Sequence, residues 1–360
     1  MIKLLIVDDS ALMRRQLNTL FANEGDFEIR LARNGKEAIE ENAIFQPDVV
    51  TLDINMPEMD GLTALSLIMA ERSVPVVMVS SLTEKGALAT FEALALGAVD
   101  YIAKPTGTIS LSINEIEKEL VTKVRAAAAA KLKKARSSGL LNTKPEAAKL
   151  VGSDKLKTEH TPIIRRGLAA KDGIVVIGVS TGGPRTLEDI LPLFPADFPY
   201  PVLVAQHMPS SFTLPFANRM NELCQLTVVE ASKPTAIEAG FVYIGKGGAD
   251  MVVTRRAGKA TVISKPENKE FLWHPSVELL GRSVLEHYDA PQIIGVMLTG
   301  MGYDGADAFA EIKKQGGRTI AESEQSCVVF GMPAELIARG GASLVLSADK
   351  ITNQVLSWVK

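Results

Sequence analysis

The stretch Ile174-Val175-Val176-Ile177-Gly178-Val179-Ser180-Thr181-Gly182-Gly183-Pro184 decides how the second half of this chain is read. Its first four residues have the length and β-branched content of a buried strand. Arg185 to Leu193, which follows, has the pattern of a helix. Between them Gly178 and Gly182 flank a serine as Gly-x-Ser-x-Gly, a tight strand-to-helix turn that lifts a hydroxyl into the open. Free backbone N–H groups at the helix start would face whatever sits beside that serine. By itself the motif is equally that of a glycine turn with a capping serine.

Outward from this turn, strand and helix signals alternate. Pro201–Ala205 is a strand that ends at Gln206-His207-Met208-Pro209, and Gln292–Leu298 is a strongly apolar one. The latter runs into Thr299-Gly300-Met301-Gly302-Tyr303-Asp304-Gly305, with a helix expected over Ala306–Lys314. Phe241–Gly245, Asp250–Thr254 and Lys259–Ser264 have the pattern of shorter strands, a hairpin insertion with Gly-rich turns. Arg318–Ala321 and Ser343–Leu346 complete the sheet, with a short helix over Pro333–Ala338 between them.

Ser180, His207 and Asp304 each follow the carboxyl end of an apolar strand. If the three strands are parallel neighbours, the three residues open onto one rim. There His207 could take the serine proton while Asp304 orients the imidazole and stabilises its charged form. Backbone N–H groups at Thr181 and in the Gly300–Gly302 loop, around Met301, could bind an oxyanion. Each member has a plainer alternative, His207 as a loop residue and Asp304 as a helix cap. The chain order Ser, His, Asp differs from the Ser, acid, His order of α/β-hydrolases, so a different fold with convergent chemistry is expected. Gly182-Gly183 belongs to no Gly-Lys-Ser/Thr or Gly-x-Gly-x-x-Gly pattern, which excludes a phosphate loop.

The first 120 or so residues carry the same α/β rhythm. Lys3–Val7, Phe27–Ala32, Asp48–Leu52, Val74–Val79 and Val99–Ala103 form five strands, with helices over Ala11–Phe21 and Lys36–Phe45. That rhythm predicts a doubly wound parallel sheet, whose ligands gather at the strand carboxyl ends. Asp8 and Asp9 close the first strand, Asp53 the third and Ser80 the fourth, while Lys104-Pro105 follow the fifth. Three converging carboxylates repel one another unless a cation sits among them, and oxygen ligands with open positions suit Mg²⁺. Lys104 could hold a phosphoryl group, Ser80 could hydrogen-bond to it, and one carboxylate could accept it.

Composition bounds the rest. At 360 residues, 46% hydrophobic and 22% charged, the chain suits two globular domains. A net charge of −3 favours neither nucleic acid nor an anionic membrane surface, and no helix-turn-helix signal is present. Cys224 and Cys327 form neither a disulfide framework nor, with four scattered histidines, a zinc pattern. No apolar stretch approaches the roughly 20 residues of a membrane span, and the N-terminal apolar run is too short for a signal peptide. A cytoplasmic protein is expected. Lys123 to Lys171 holds thirteen Lys or Arg against three Asp or Glu. Its alanine-rich Lys123–Arg136 start favours a helix leaving the first domain, and the remainder suits a solvated, flexible linker. The expected division is 1–121, 122–172 and 173–360.

Residues 1 to about 120 resemble a response-regulator receiver domain of the chemotaxis type. The matching segments are Val7-Asp8-Asp9-Ser10, Leu52 to Gly61, Met78-Val79-Ser80-Ser81 and Lys104-Pro105. The resemblance implies a flavodoxin-like fold, Asp53 as phospho-acceptor, and Mg²⁺ held by Asp8, Asp9, Asp53 and the Asn55 carbonyl. It also implies phosphate sensing by Ser80 and Lys104, and an aromatic switch at Tyr101. Gly178–Pro184, Gln206–Pro209, Leu298–Gly305 and Ser326–Pro333 together resemble the CheB chemotaxis methylesterase family.

That second resemblance implies a C-terminal α/β domain with a mostly parallel sheet. Ser180 would be the nucleophile, His207 the base, Asp304 its orienter, and Thr181 and Met301 the backbone oxyanion donors. It implies methyl-ester hydrolysis on methylated chemoreceptors, glutamine deamidation, a chemotaxis histidine kinase as partner, a monomer, and no cofactor for the esterase step. Family members usually have His-Arg-Pro-Ser where this chain has Trp273-His274-Pro275-Ser276, and His274 is taken as a surface residue. The rival is a phosphorylation-dependent, receptor-binding adaptor without catalysis. An adaptor has no chemical need for the three polar residues.

Overall fold

In a computed structural model of the chain the described residues are 1–81, 83–104, 113–130 and 173–359. Pro105 and most of the basic tract lie outside them.

The N-terminal half begins with strand β1 (Ile2–Val7), helix α1 (Ala11–Glu24), β2 (Phe27–Ala32) and α2 (Gly35–Phe45). It continues through β3 (Val49–Asp53), α3 (Gly61–Glu71), β4 (Val76–Ser80), α4 (Glu84–Leu96), β5 (Asp100–Ala103) and α5 (Ile113–Ala128). The five strands are parallel in the order β2-β1-β3-β4-β5, as the rhythm predicted. Strands β3 and β4 are buried along their whole length because helices cover both faces. Helix starts follow from local chemistry. Asn34, Asp60 and Thr83 each accept the N–H three residues on, at 3.0, 2.8 and 3.0 Å. The order reverses between β1 and β3, which places Asp8 and Asp53 on either side of the switch point.

The C-terminal half opens with β6 (Ile174–Val179), α6 (Gly183–Ile190), β7 (Val202–Gln206), α7 (Ser210–Leu223), β8 (Thr227–Ala231) and β9 (Thr235–Ala236). Then come β10 (Phe241–Gly245), β11 (Asp250–Arg256), β12 (Lys259–Lys265), α8 (Val277–Leu285), β13 (Ile293–Met297) and α9 (Ala306–Lys314). It closes with β14 (Arg318–Glu322), α10 (Met332–Ala338), β15 (Leu344–Leu346) and α11 (Ala348–Val359). Seven parallel strands run in the order β15-β14-β13-β6-β7-β10-β8, and β11, β12 and β9 form a small antiparallel sheet. One expectation needs correcting. Phe241–Gly245 is no part of the hairpin insertion but an interior strand of the main sheet, since four of its five residues are buried. Strands β13, β6 and β7 are parallel neighbours, and the order reverses between β6 and β13.

One apolar cluster runs from the first sheet into the second through α4 and α7. Phe91 of α4 meets Phe212 and Phe216 of α7 at ring-centroid distances of 6.0 and 5.4 Å. The Tyr101 ring lies flat on Phe212, with centroids 4.8 Å apart and planes 7° from parallel.

Candidate active site

The three parallel strand ends bring Ser180, His207 and Asp304 together at the switch point of the larger sheet. Ser180 Oγ lies 3.1 Å from His207 Nδ1, and His207 Nε2 lies 2.9 Å from Asp304 Oδ2. A carboxylate only accepts, so Nε2 carries the hydrogen and Nδ1 turns its lone pair to the serine hydroxyl. The imidazole side chain is 9% exposed. The capping-serine alternative does not hold locally. Gly182, at φ +76°, rather than Ser180 is the N-cap of α6, and a β-carbon there would lie 2.5 Å from Val328. Gln206 fastens β6 to β7, its amide donating to the carbonyls of Ser180 and His207 at 3.0 Å each.

Asp304 does not cap α9, whose N-cap is Gly305. It sits instead at the N-terminus of α8, accepting from Val277 N (2.7 Å), Glu278 N (3.0 Å) and Ser276 Oγ (3.1 Å). Burial alone would push its carboxyl up. Hydrogen bonds from His207 and from the Val277 and Glu278 N–H groups outweigh that and hold it below the usual carboxylate range. Ser276 is the helix N-cap, accepting from Leu279 N at 3.2 Å. The segment before it is anchored by Asp250, whose Oδ1 accepts from His274 Nδ1 and from Ser276 N, both at 2.9 Å. His274 is therefore not the surface residue expected. Its side chain is 14% exposed and paired with a buried carboxylate that fixes the α8 start.

Across the crevice the Ser180 N–H is spent on Thr299 O (3.0 Å), and that of Gly300 on Val329 O (3.0 Å). Among the described residues no acceptor engages the N–H of Thr181 or of Met301. Two supports behind this loop were not read from the sequence. The Thr299 hydroxyl donates to Thr181 O at 2.9 Å and accepts from Val328 N and Val329 N at 3.1 and 3.0 Å. The fully buried Glu322 accepts Thr299 N at 2.8 Å and the Ser326 hydroxyl at 2.7 Å. A glutamate ending an apolar strand was the available signal.

The second polar cluster lies at the switch point of the first sheet. Lys104 Nζ is 2.7 Å from Asp53 Oδ2 and 3.1 Å from Asp8 Oδ2, both carboxylates being almost wholly buried. Oxygens of Asp8, Asp9 and Asp53 lie within 4.8 Å of one another. Burial raises the Asp53 carboxyl despite Lys104, and the Asp8 charge adds to it. Burial would lower the Lys104 ammonium, but the two carboxylates raise it. One lysine thus serves several acids, and the buried Oδ2 atoms of Asp8 and Asp53 receive no well-directed hydrogen bond. Those oxygens, with Asp9, fit a hard divalent cation such as Mg²⁺. Ser80 Oγ donates to Gly86 O at 3.2 Å, and among the described residues no hydrogen bond joins it to Asp53 or Lys104. Tyr101 lies against α7 instead of in this pocket.

At the start of β5, Asp100 faces the Thr181 hydroxyl without a close hydrogen bond. Its carboxyl is raised, burial outweighing Lys123, which lies 3.6 Å away. Ala128, the last residue of α5, and Ala130 just beyond it share an apolar cluster with Val328. Receiver-side residues thus lie near Thr181 and share an apolar cluster with Val328, which backs Gly182.

These features define a class: a doubly wound domain with an acidic phosphoryl-type pocket, packed against an α/β domain bearing a serine–histidine–aspartate chain. Residues 4–114 match the response regulator receiver domain family and residues 175–355 the CheB methylesterase family. The protein-glutamate methylesterase/protein-glutamine glutaminase 3 of Rhodospirillum rubrum is 54% identical over 359 residues, covering 100% of this chain and 96% of that protein. Protein 2 of the same name from Rhodopseudomonas palustris is 48% identical, covering 99% and 98%. The crystal structure of the Thermotoga maritima CheB methylesterase catalytic domain superposes with a TM-score of 0.50 at 40% identity, covering 52% of this chain and 98% of that one. The chain belongs to the CheB family of receiver-linked methylesterases. Among the described residues no helix is long and apolar enough to cross a membrane.

Proposed function

We propose that this chain hydrolyses glutamate 5-methyl esters on chemoreceptors and deamidates receptor glutamines, under control of its receiver. The observation that carries the reading is the unbroken chain from Ser180 Oγ through His207 to Asp304, at 3.1 and 2.9 Å. His207 Nδ1 takes the serine proton as Oγ bonds to the ester carbon, and the charged ring is held by Asp304. The N–H groups of Thr181 and Met301 receive the oxyanion. As the tetrahedral intermediate collapses, the C–O bond to methoxide breaks and Nδ1–H protonates the leaving group, giving methanol. Water, deprotonated by the same nitrogen, then cleaves the acyl-enzyme and restores the glutamate. A glutamine side chain follows the same path and releases ammonia.

In the receiver, Asp53 accepts a phosphoryl group from a chemotaxis histidine kinase. Asp8, Asp9, Asp53 and the Asn55 carbonyl would hold Mg²⁺, whose charge offsets that of the phosphoryl oxygens. Lys104 and Ser80 then hold the phosphoryl group, and Tyr101 couples β5 to α7. The receiver closes the site in the unphosphorylated state, a reading supported by the packing of β5 and α5 beside Thr181 and Val328. Phosphorylation shifts the population toward an open state. The setting is the cytoplasmic face, where receptor and kinase meet, with the enzyme acting as a monomer and its basic segment serving as the linker between the two domains.

Methanol release from a methylated receptor tests this. Ser180→Ala is expected to abolish it with the fold intact, and retained release would remove Ser180 from the role. Acetyl phosphate with Mg²⁺ is expected to raise the wild-type rate and leave Asp53→Ala unchanged. Absence of any hydrolysis with receptor binding intact would favour the adaptor.

A further inference from the structure

The bonds at Nδ1 and Nε2 of His207 fix an axis through the ring and leave rotation about that axis to the soft side-chain torsions. A flat neighbour is needed to set the plane. The Trp273 indole lies 4° from parallel to the imidazole with centroids 5.8 Å apart, an offset stack. The same indole touches the loop carrying the Met301 N–H. Gly302, at φ +86°, would place a β-carbon 2.8 Å from it, so only glycine lets loop and indole meet. Tyr303 abuts the indole edge-on at 5.3 Å and 87°. From behind, the Asp250–His274 pair anchors the adjoining residue.

We propose that Trp273 is a positioning residue of the hydrolytic site, fixing the plane of the His207 ring and the backbone of the Met301 loop against one another. Base and oxyanion donor then keep one spacing through both steps of the reaction. The inference rests on His207 acting as the base. It requires a flat ring at position 273, so volume alone does not suffice. A branched side chain would fill the space and leave the imidazole free to tilt.

The test compares Trp273→Phe with Trp273→Leu in the full chain, activated by acetyl phosphate and Mg²⁺, on a peptide carrying a glutamate 5-methyl ester. Trp273→Leu is expected to lose on the order of tenfold to a hundredfold in kcat, the scale of a misplacement of about 1 Å at reacting atoms. Its KM should stay near wild type, and Trp273→Phe should recover most of kcat at a similar melting temperature. Equal kcat for the two variants would overturn the proposal, as would a loss confined to KM or one that follows melting temperature. His207→Ala in the same assay separates the layers. If it remains active the base assignment fails; if it is dead while Trp273→Leu is fully active, only the positioning role fails.

Discussion

Asp304 shows how one residue's surroundings set its chemistry. A carboxylate this buried is costly unless donors converge on it, and here an imidazole, a hydroxyl and two helix N–H groups do so. Its folded-state pKa is depressed. The resulting stabilisation is therefore present above the ordinary aspartate range and is lost as pH falls through the lower folded value. Asp304→Asn should melt below the wild type near neutrality, with the gap narrowing as pH drops through the carboxylate range. Thermal melts across that range check this, and a gap that widens toward acid would contradict it. In the polar crevice Ser180, His207 and Asp304 were legible, because each follows the carboxyl end of an apolar strand. Trp273, Ser276 and Glu322 were not, because their roles depend on contacts across 20 to 70 residues of chain that no periodicity encodes.

Among elements, α8 holds Asp304 in place through its N-terminus and was not legible in the sequence. Its start follows a loop of Trp, His and Pro with no apolar run before it, so the turn preceding Val277 obscured the Ser276 cap. Helix α7 was hidden by Pro215 in its interior. The strands that carry the site, β6, β7 and β13, are uniformly buried and easily read. Ser276→Ala removes the α8 cap and one donor to Asp304 together. It should cost about 1 kcal/mol of stability, the usual value of a lost cap, and also lower kcat. Denaturant titration beside the ester assay checks both, and a variant losing stability with kcat unchanged would separate the cap from the site.

At the scale of the molecule, the contact between halves is aromatic: Phe91 on α4, Tyr101 on β5, Phe212 and Phe216 on α7. Phe91→Ala leaves both polar clusters untouched while cutting that contact, at a cost of about 3–5 kcal/mol for a buried phenylalanine. Basal methanol release should rise severalfold in this variant and respond less to acetyl phosphate. An unchanged basal rate would show that the aromatic contact does not hold the closed state. This surface has a thermal consequence. A latch made chiefly of apolar rings draws its strength from water's entropy, and that source fades in the cold. The closed enzyme should therefore leak more as it is chilled, with the unphosphorylated fraction of full activity climbing in the wild type and staying level in Phe91→Ala. On the proposed function, a cell cooled below its usual range would lose receptor methyl groups without any signal having arrived.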